Sequence, residues 1–163
     1  CISNLSKERL LGELKKFLKL NVLTKLSKDQ FSLELFQIIF PQIKNLKIFS
    51  NPNRFIKDKV EKSDFIFLLS AMIIDGTDNA DYFLYKFNIS KNDQKRIKVL
   101  DNFFKNNSQS NLLTENFMNK FFYYDGKQAV LDILYLKLAK SRKSEENLEN
   151  LIENKKFYSY NFL

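Results

Sequence analysis

Lys91, Lys95 and Lys98 stand at i, i+4 and i+7 in "SKNDQKRIKVLDNFFKN", the spacing that lines side chains up on one face of a helix. A row of ammonium groups meets successive phosphates as point charges, which gives affinity for a nucleic-acid backbone without reading its bases. Lys137, Lys140, Arg142 and Lys143 form a second basic group where "KQAVLDILYLKLAKS" ends. In "LSKERLLGELKKFLKL", Arg9, Glu13 and Lys16 make a third charged face, on which Glu13 can bridge the two cations at spacings of four and three residues. The competing reading of all three is plain solvation, since charged faces keep helices wet.

Other chemistries are excluded by composition. The chain has no His, which removes Ser-His-Asp triads, Cys-His dyads and His-Asp metal sites. No G-x-x-x-x-G-K-[ST] or G-x-G-x-x-G occurs, and no Asp-x-Asp pair closes a strand pattern to hold Mg²⁺. In "DGTDNAD", Asp75, Asp78 and Asp81 lack the Gly at the sixth and the Glu at the twelfth position of a calcium loop, so the segment reads as a capped turn. Cys1 is the single cysteine and can form no internal disulfide or metal cluster, which points to a reducing, cytoplasmic setting. The aromatic tail "FYSYNFL" could stack on bases, although docking a terminus onto a core is the commoner use of such rings.

The elements that must position these residues are helices. Three Gly and two Pro in 163 residues leave little turn material for an all-β fold. An all-α chain of about eight or nine short helices in an irregular, elongated array is expected. Ser6 is expected to cap the first, with Leu10, Leu14, Phe17 and Leu18 facing the core. Ser27 opens the capping box "SKDQ" ahead of "FSLELFQIIF", which Pro41 stops. The loop "FSNPNRF" separates these helices from the rest, Ser63 caps the apolar "DFIFLLSAMII", and Asp78 or Asn79 caps "ADYFLYKF". Ser90 starts the lysine-bearing helix, with Ile97, Leu100 and Phe104 opposite the lysines. Gly126 breaks "TENFMNKFFYYDG" from the second core helix, and "SEENLENLIENKK" carries acids early and lysines late, as a helix dipole prefers. The longest apolar run, "FIFLLSAMII", falls short of the ~18 residues of a membrane span, so no membrane partner is expected. With 27 basic against 19 acidic residues the net charge is +8, which favours an anionic partner, nucleic acid first.

The order of segments resembles the C-terminal helical part of the bacterial tRNA nucleotidyltransferase (CCA-adding enzyme) and poly(A) polymerase family. "LSKERLLGELKKFL" is similar to its neck pattern of a polar cap, Glu-Arg-apolar and Glu-Leu before a Leu/Lys helix. "NVLTKL", "FQIIFPQI", "SDFIFLLSAMI", "FNISKNDQKRI" and "FYYDGKQAVLDILYL" follow in the family's order. Gln42 and Asn21 depart from it, standing where the family often has Glu and Gly.

The resemblance implies residues 1–56 as the end of the neck and start of the body, and 57–163 as helical body, truncated before the tail. It implies a tRNA or other RNA held by backbone contacts through Arg9, Lys16, Lys91, Lys95, Lys98, Lys140, Arg142 and Lys143. A catalytic head would precede Cys1 in an intact parent and carry the Mg²⁺ aspartates, so no cofactor and no nucleotide transfer are expected of this chain alone. The alternative is a non-catalytic helical scaffold or protein-interaction remnant of a truncated gene. An exposed apolar patch beside scattered lysines would favour it.

Overall fold

The computed structural model describes residues 4–107 and 115–140. They form eight α-helices, α1 (Asn4–Phe17), α2 (Leu20–Lys28), α3 (Gln30–Ile39), α4 (Arg54–Glu61), α5 (Phe65–Ile73), α6 (Asn79–Lys86), α7 (Lys91–Asn107) and α8 (Glu115–Lys140), with a 3-10 turn at Leu46–Phe49. No strand occurs among the described residues. The expected "SEENLENLIENKK" helix and the aromatic tail lie outside them.

α5 is the hub. Its sequence is apolar nearly all round, and Phe67 through Ile73 are all buried, including Ser70, whose hydroxyl donates to the Ile66 carbonyl at 2.7 Å. Helices α4, α6, α7 and α8 all pack against it, and α7 and α8 also pack on each other. Each large apolar side chain taken out of water contributes roughly 1.5–3 kcal/mol, so this helix supplies a large share of the driving force. One core runs from Leu14 through α5 to Leu136, and a smaller cluster joins Phe55 of α4 to Val130, Leu134 and Leu138 of α8. Phe36, Phe40, Phe87 and Phe83 touch in sequence, with centroids 5.2, 5.9 and 4.6 Å apart, and tie α3 to α6.

Helix ends correct several expectations. α1 starts at Asn4, before Ser6, and stops at Phe17, so Leu18 is buried beyond the helix while Phe17 stays 45% exposed. Ser27 lies inside α2 and donates back to the Thr24 carbonyl at 2.8 Å; Asp29 precedes α3 instead, and accepts from the Ser32 hydroxyl. Ser63 sits at φ +53°, and Asp64 caps α5 by accepting from the Phe67 N–H at 3.3 Å. A carboxylate so placed also satisfies the positive end of the helix dipole. α4, unresolved by sequence pattern, begins at the Asn53 cap, whose Oδ1 accepts from the Ile56 N–H at 3.0 Å. Ser90 caps α7 as expected, accepting from the Asp93 N–H at 3.3 Å and donating to its carboxylate at 2.8 Å. Gly126 breaks α8 with φ +89° and ψ 172°, backbone that residues with a Cβ avoid.

Candidate functional site

α7 divides its charges between two sides. Ile97 and Leu100 are buried and Phe104 is half-buried, while Lys91, Lys95 and Lys98 are exposed on the opposite face. These three lysines form no ion pair among the described residues. Arg96 sits between them in sequence but about 100° round the helix from Lys95, which carries it to the edge of the buried side.

There Arg96 is clamped between two carboxylates. Its Nε and Nη2 donate to Asp132 of α8 at 2.8 and 2.9 Å, and its Nη1 and Nη2 donate to Asp64 at 3.0 and 2.9 Å. Two forks on one guanidinium match its planar donors to both partners. Asp132 is fully buried and also accepts from Gln128 Nε2 at 2.8 Å. Lys59 adds a bond to Asp64 at 3.1 Å while lying over the ring of Tyr135, 4.6 Å from its centroid. Burial by itself pushes the Asp64 carboxyl up; the hydrogen bonds and charge of Arg96, with those of Lys59, outweigh it and hold that carboxyl below the usual range. The same two carboxylates raise the Arg96 pKa against its own desolvation.

Lys105, near the end of α7, gathers a second set. It reaches Asp81 at 2.7 Å, Asp101 at 2.9 Å and Asp78 at 3.3 Å. Burial pushes the Asp101 carboxyl up in spite of Lys105, and its Oδ1 has no hydrogen-bond partner among the described residues. Asp75 accepts from the Thr77 N–H at 3.0 Å and hydroxyl at 2.5 Å and faces Lys44 at 3.5 Å. The carboxylates of the 75–81 turn are thus engaged with cations and a hydroxyl. No group of three or more His, Cys, Asp or Glu able to hold a metal occurs among the described residues, so Mg²⁺ has no fitting donor set here.

This pairing has an electrostatic consequence. Five carboxylates, Asp64, Asp132, Asp78, Asp81 and Asp101, are held by three cations, Arg96, Lys59 and Lys105. Asp132 and Asp101 are buried and Asp64 is largely so, Asp78 and Asp81 are paired at the surface, and the lysines of the α7 row stay exposed, where their field meets solvent.

The other sequence candidates fall in different places. Arg9 and Lys16 are exposed on α1; Glu13 pairs with Lys16 at 3.2 Å, and no bridge to Arg9 forms among the described residues. Lys140 is half-buried over the ring of Phe104 and donates to the Ile74 carbonyl at 2.5 Å; Lys137 lies over Phe103. Arg142 and Lys143 lie outside the described residues. A groove of about 750 Å³, lined by Lys44, Lys47 and Lys140 with Asp75, brings Lys140 beside two lysines absent from the basic groups above. Their spacing of three in "KNLK" was the available signal.

A different surface lies on α3. Phe31, Leu35, Ile38 and Ile39 recur at i, i+4, i+7 and i+8 and are 68, 48, 76 and 50% exposed.

Comparison with protein-family models, curated proteins and solved structures gives no match. No helix among the described residues is long and apolar enough to cross a membrane.

Proposed function

We propose that this chain is an RNA-binding helical body, similar to that of the tRNA nucleotidyltransferase and poly(A) polymerase family, which holds a tRNA or related RNA by its phosphate backbone. The observation that carries the reading is the exposed row Lys91, Lys95 and Lys98, free of ion pairs among the described residues while the neighbouring acids are spent on Arg96, Lys59 and Lys105. Such a row neutralises phosphates and releases counterions without reading sequence. Arg9 and Lys16 on α1, the latter paired with Glu13, are further candidate phosphate contacts in this reading. Nucleotide transfer, and the Mg²⁺ it needs, belongs in this reading to a catalytic head and not to these residues.

The specific observation on the side of the second reading, a helical scaffold that meets another protein, is the exposed apolar face of α3. A salt titration of tRNA binding by fluorescence anisotropy separates the two. Affinity that falls steeply with salt supports RNA binding; no binding at low salt rejects it in favour of the scaffold.

A further inference from the structure

The groove beside the 3-10 turn is assembled from stretches distant in sequence. Residues 44–51 form one wall, Asp75 follows the end of α5, and Ala139 with Lys140 ends α8. Its volume, about 750 Å³, lies within the range of small-ligand pockets. None of its lysines belongs to the α7 row.

Lys140 is the most enclosed of them. Its Nζ lies over the Phe104 ring, 5.0 Å from the centroid, and donates one hydrogen bond to the Ile74 carbonyl at the end of α5. An ammonium has three N–H donors, so two remain for another acceptor. It forms no ion pair among the described residues; Asp75 and Asp101 reach it only through space, and burial pushes its pKa down. Lys44 is half-exposed and pairs with Asp75 Oδ2 at 3.5 Å, the other Asp75 oxygen accepting from Thr77, and Lys47 is exposed on the 3-10 turn. Three ammonium groups thus share a concave surface with one carboxylate, and the surplus is positive.

We propose that this groove binds a phosphate group, with Lys140 as the enclosed contact and Lys44 and Lys47 as the exposed ones. A planar carboxylate would find no guanidinium fork here, whereas a tetrahedral oxyanion accepts from several point-charge donors at once. The phosphate can belong to an RNA backbone or to a free nucleotide or pyrophosphate. The groove does not depend on the α7 row, so it stands even if tRNA binding fails.

The test is calorimetric titration of the full chain at low salt with sodium pyrophosphate and, separately, with a twelve-residue oligouridylate. Both are expected to bind. Lys44→Gln with Lys47→Gln should weaken binding roughly fivefold or more, because two phosphate contacts are lost. Asp75→Asn should tighten binding, since it removes the opposing charge. Lys57→Gln with Lys127→Gln, an equal charge loss on exposed parts of α4 and α8, should have a smaller effect. Thermal melts accompany each variant, and Lys140→Gln is interpreted only if its melt is retained, because Lys140 also closes the end of α5. A loss confined to the oligonucleotide assigns the site to RNA phosphodiesters; a loss confined to pyrophosphate assigns it to a free phosphate ligand. The proposal is overturned if neither probe binds the native chain, or if the groove variants move both affinities no more than the Lys57/Lys127 control does.

Discussion

Arg96 of α7 and Asp132 of α8 are joined by two hydrogen bonds of 2.8 and 2.9 Å, at a carboxylate with no exposure to solvent. With Asp64 on the other side of the guanidinium, this contact fixes α7 against both α5 and α8 and sets which way the rest of α7 faces.

Removing Arg96 leaves the buried Asp132 without a cation among the described residues and Asp64 with Lys59 alone. Arg96→Met should destabilise the fold by about 3 kcal/mol or more, the usual cost of leaving a buried charge unpaired. Arg96→Lys should cost less but still be measurable, since a lysine supplies charge without the two forks. Urea denaturation of the variants checks both, and a loss under 1 kcal/mol for the Met variant would show the clasp to be slack.

The same contact sets an acid dependence. Asp64 has its folded pKa held below the unfolded value, so its contribution is present above the unfolded pKa, near ~3.9, and is lost as pH falls through the folded one. The stability gap between the native chain and Arg96→Met should therefore be widest near neutrality and close as pH drops below about 4. A gap that stays constant down to acid unfolding would contradict the pairing.

On the exposed side of α7, the triple change Lys91→Ala, Lys95→Ala and Lys98→Ala should leave thermal melting nearly unaltered, because Ala is a good helix former and none of the three is in the core. It should reduce the slope of log affinity for tRNA against log salt by roughly 2–3, about 0.7–0.9 for each lost phosphate contact. Identical slopes would remove the row from the RNA surface.

Glu13 and Lys16 pair in water, with side chains 50 and 75% exposed. Glu13→Ala is expected to cost only ~0.2–0.5 kcal/mol. Chemical denaturation showing a loss well above 1 kcal/mol would mean that this face of α1 is covered.

At Gly126 a Cβ would meet nothing within 4 Å, so crowding does not oppose a substitution. The backbone does, at φ +89° and ψ 172°, and Gly126→Ala should cost about 1–3 kcal/mol in urea unfolding. A neutral result would indicate that α8 straightens through this point at little cost.

The sequence alone determined what local physics controls. Scarce Gly and Pro with apolar residues at helical spacing required an all-α chain, the run at 65–73 required a buried helix, and Ser90 with Asp93 required a helix start, because period, cap and turn chemistry are short-range. The lysine row of α7 was legible for the same reason. Caps at Ser6, Ser27 and Ser63 were misplaced, since several polar residues near each start could serve; α3 is preceded by Asp29, and α5 is capped by Asp64. Only the tertiary structure decided which charges are surface and which are internal. Arg96 reads as one more cation in "KRIK", and Asp132 as a stray acid in an apolar helix whose burial demands a partner, but the partner lies 36 residues away. The groove has the same origin: Lys44 and Lys140 become neighbours only when the ends of α5 and α8 meet the 3-10 turn. Electrostatic energy depends on distance through space, which chain order does not encode.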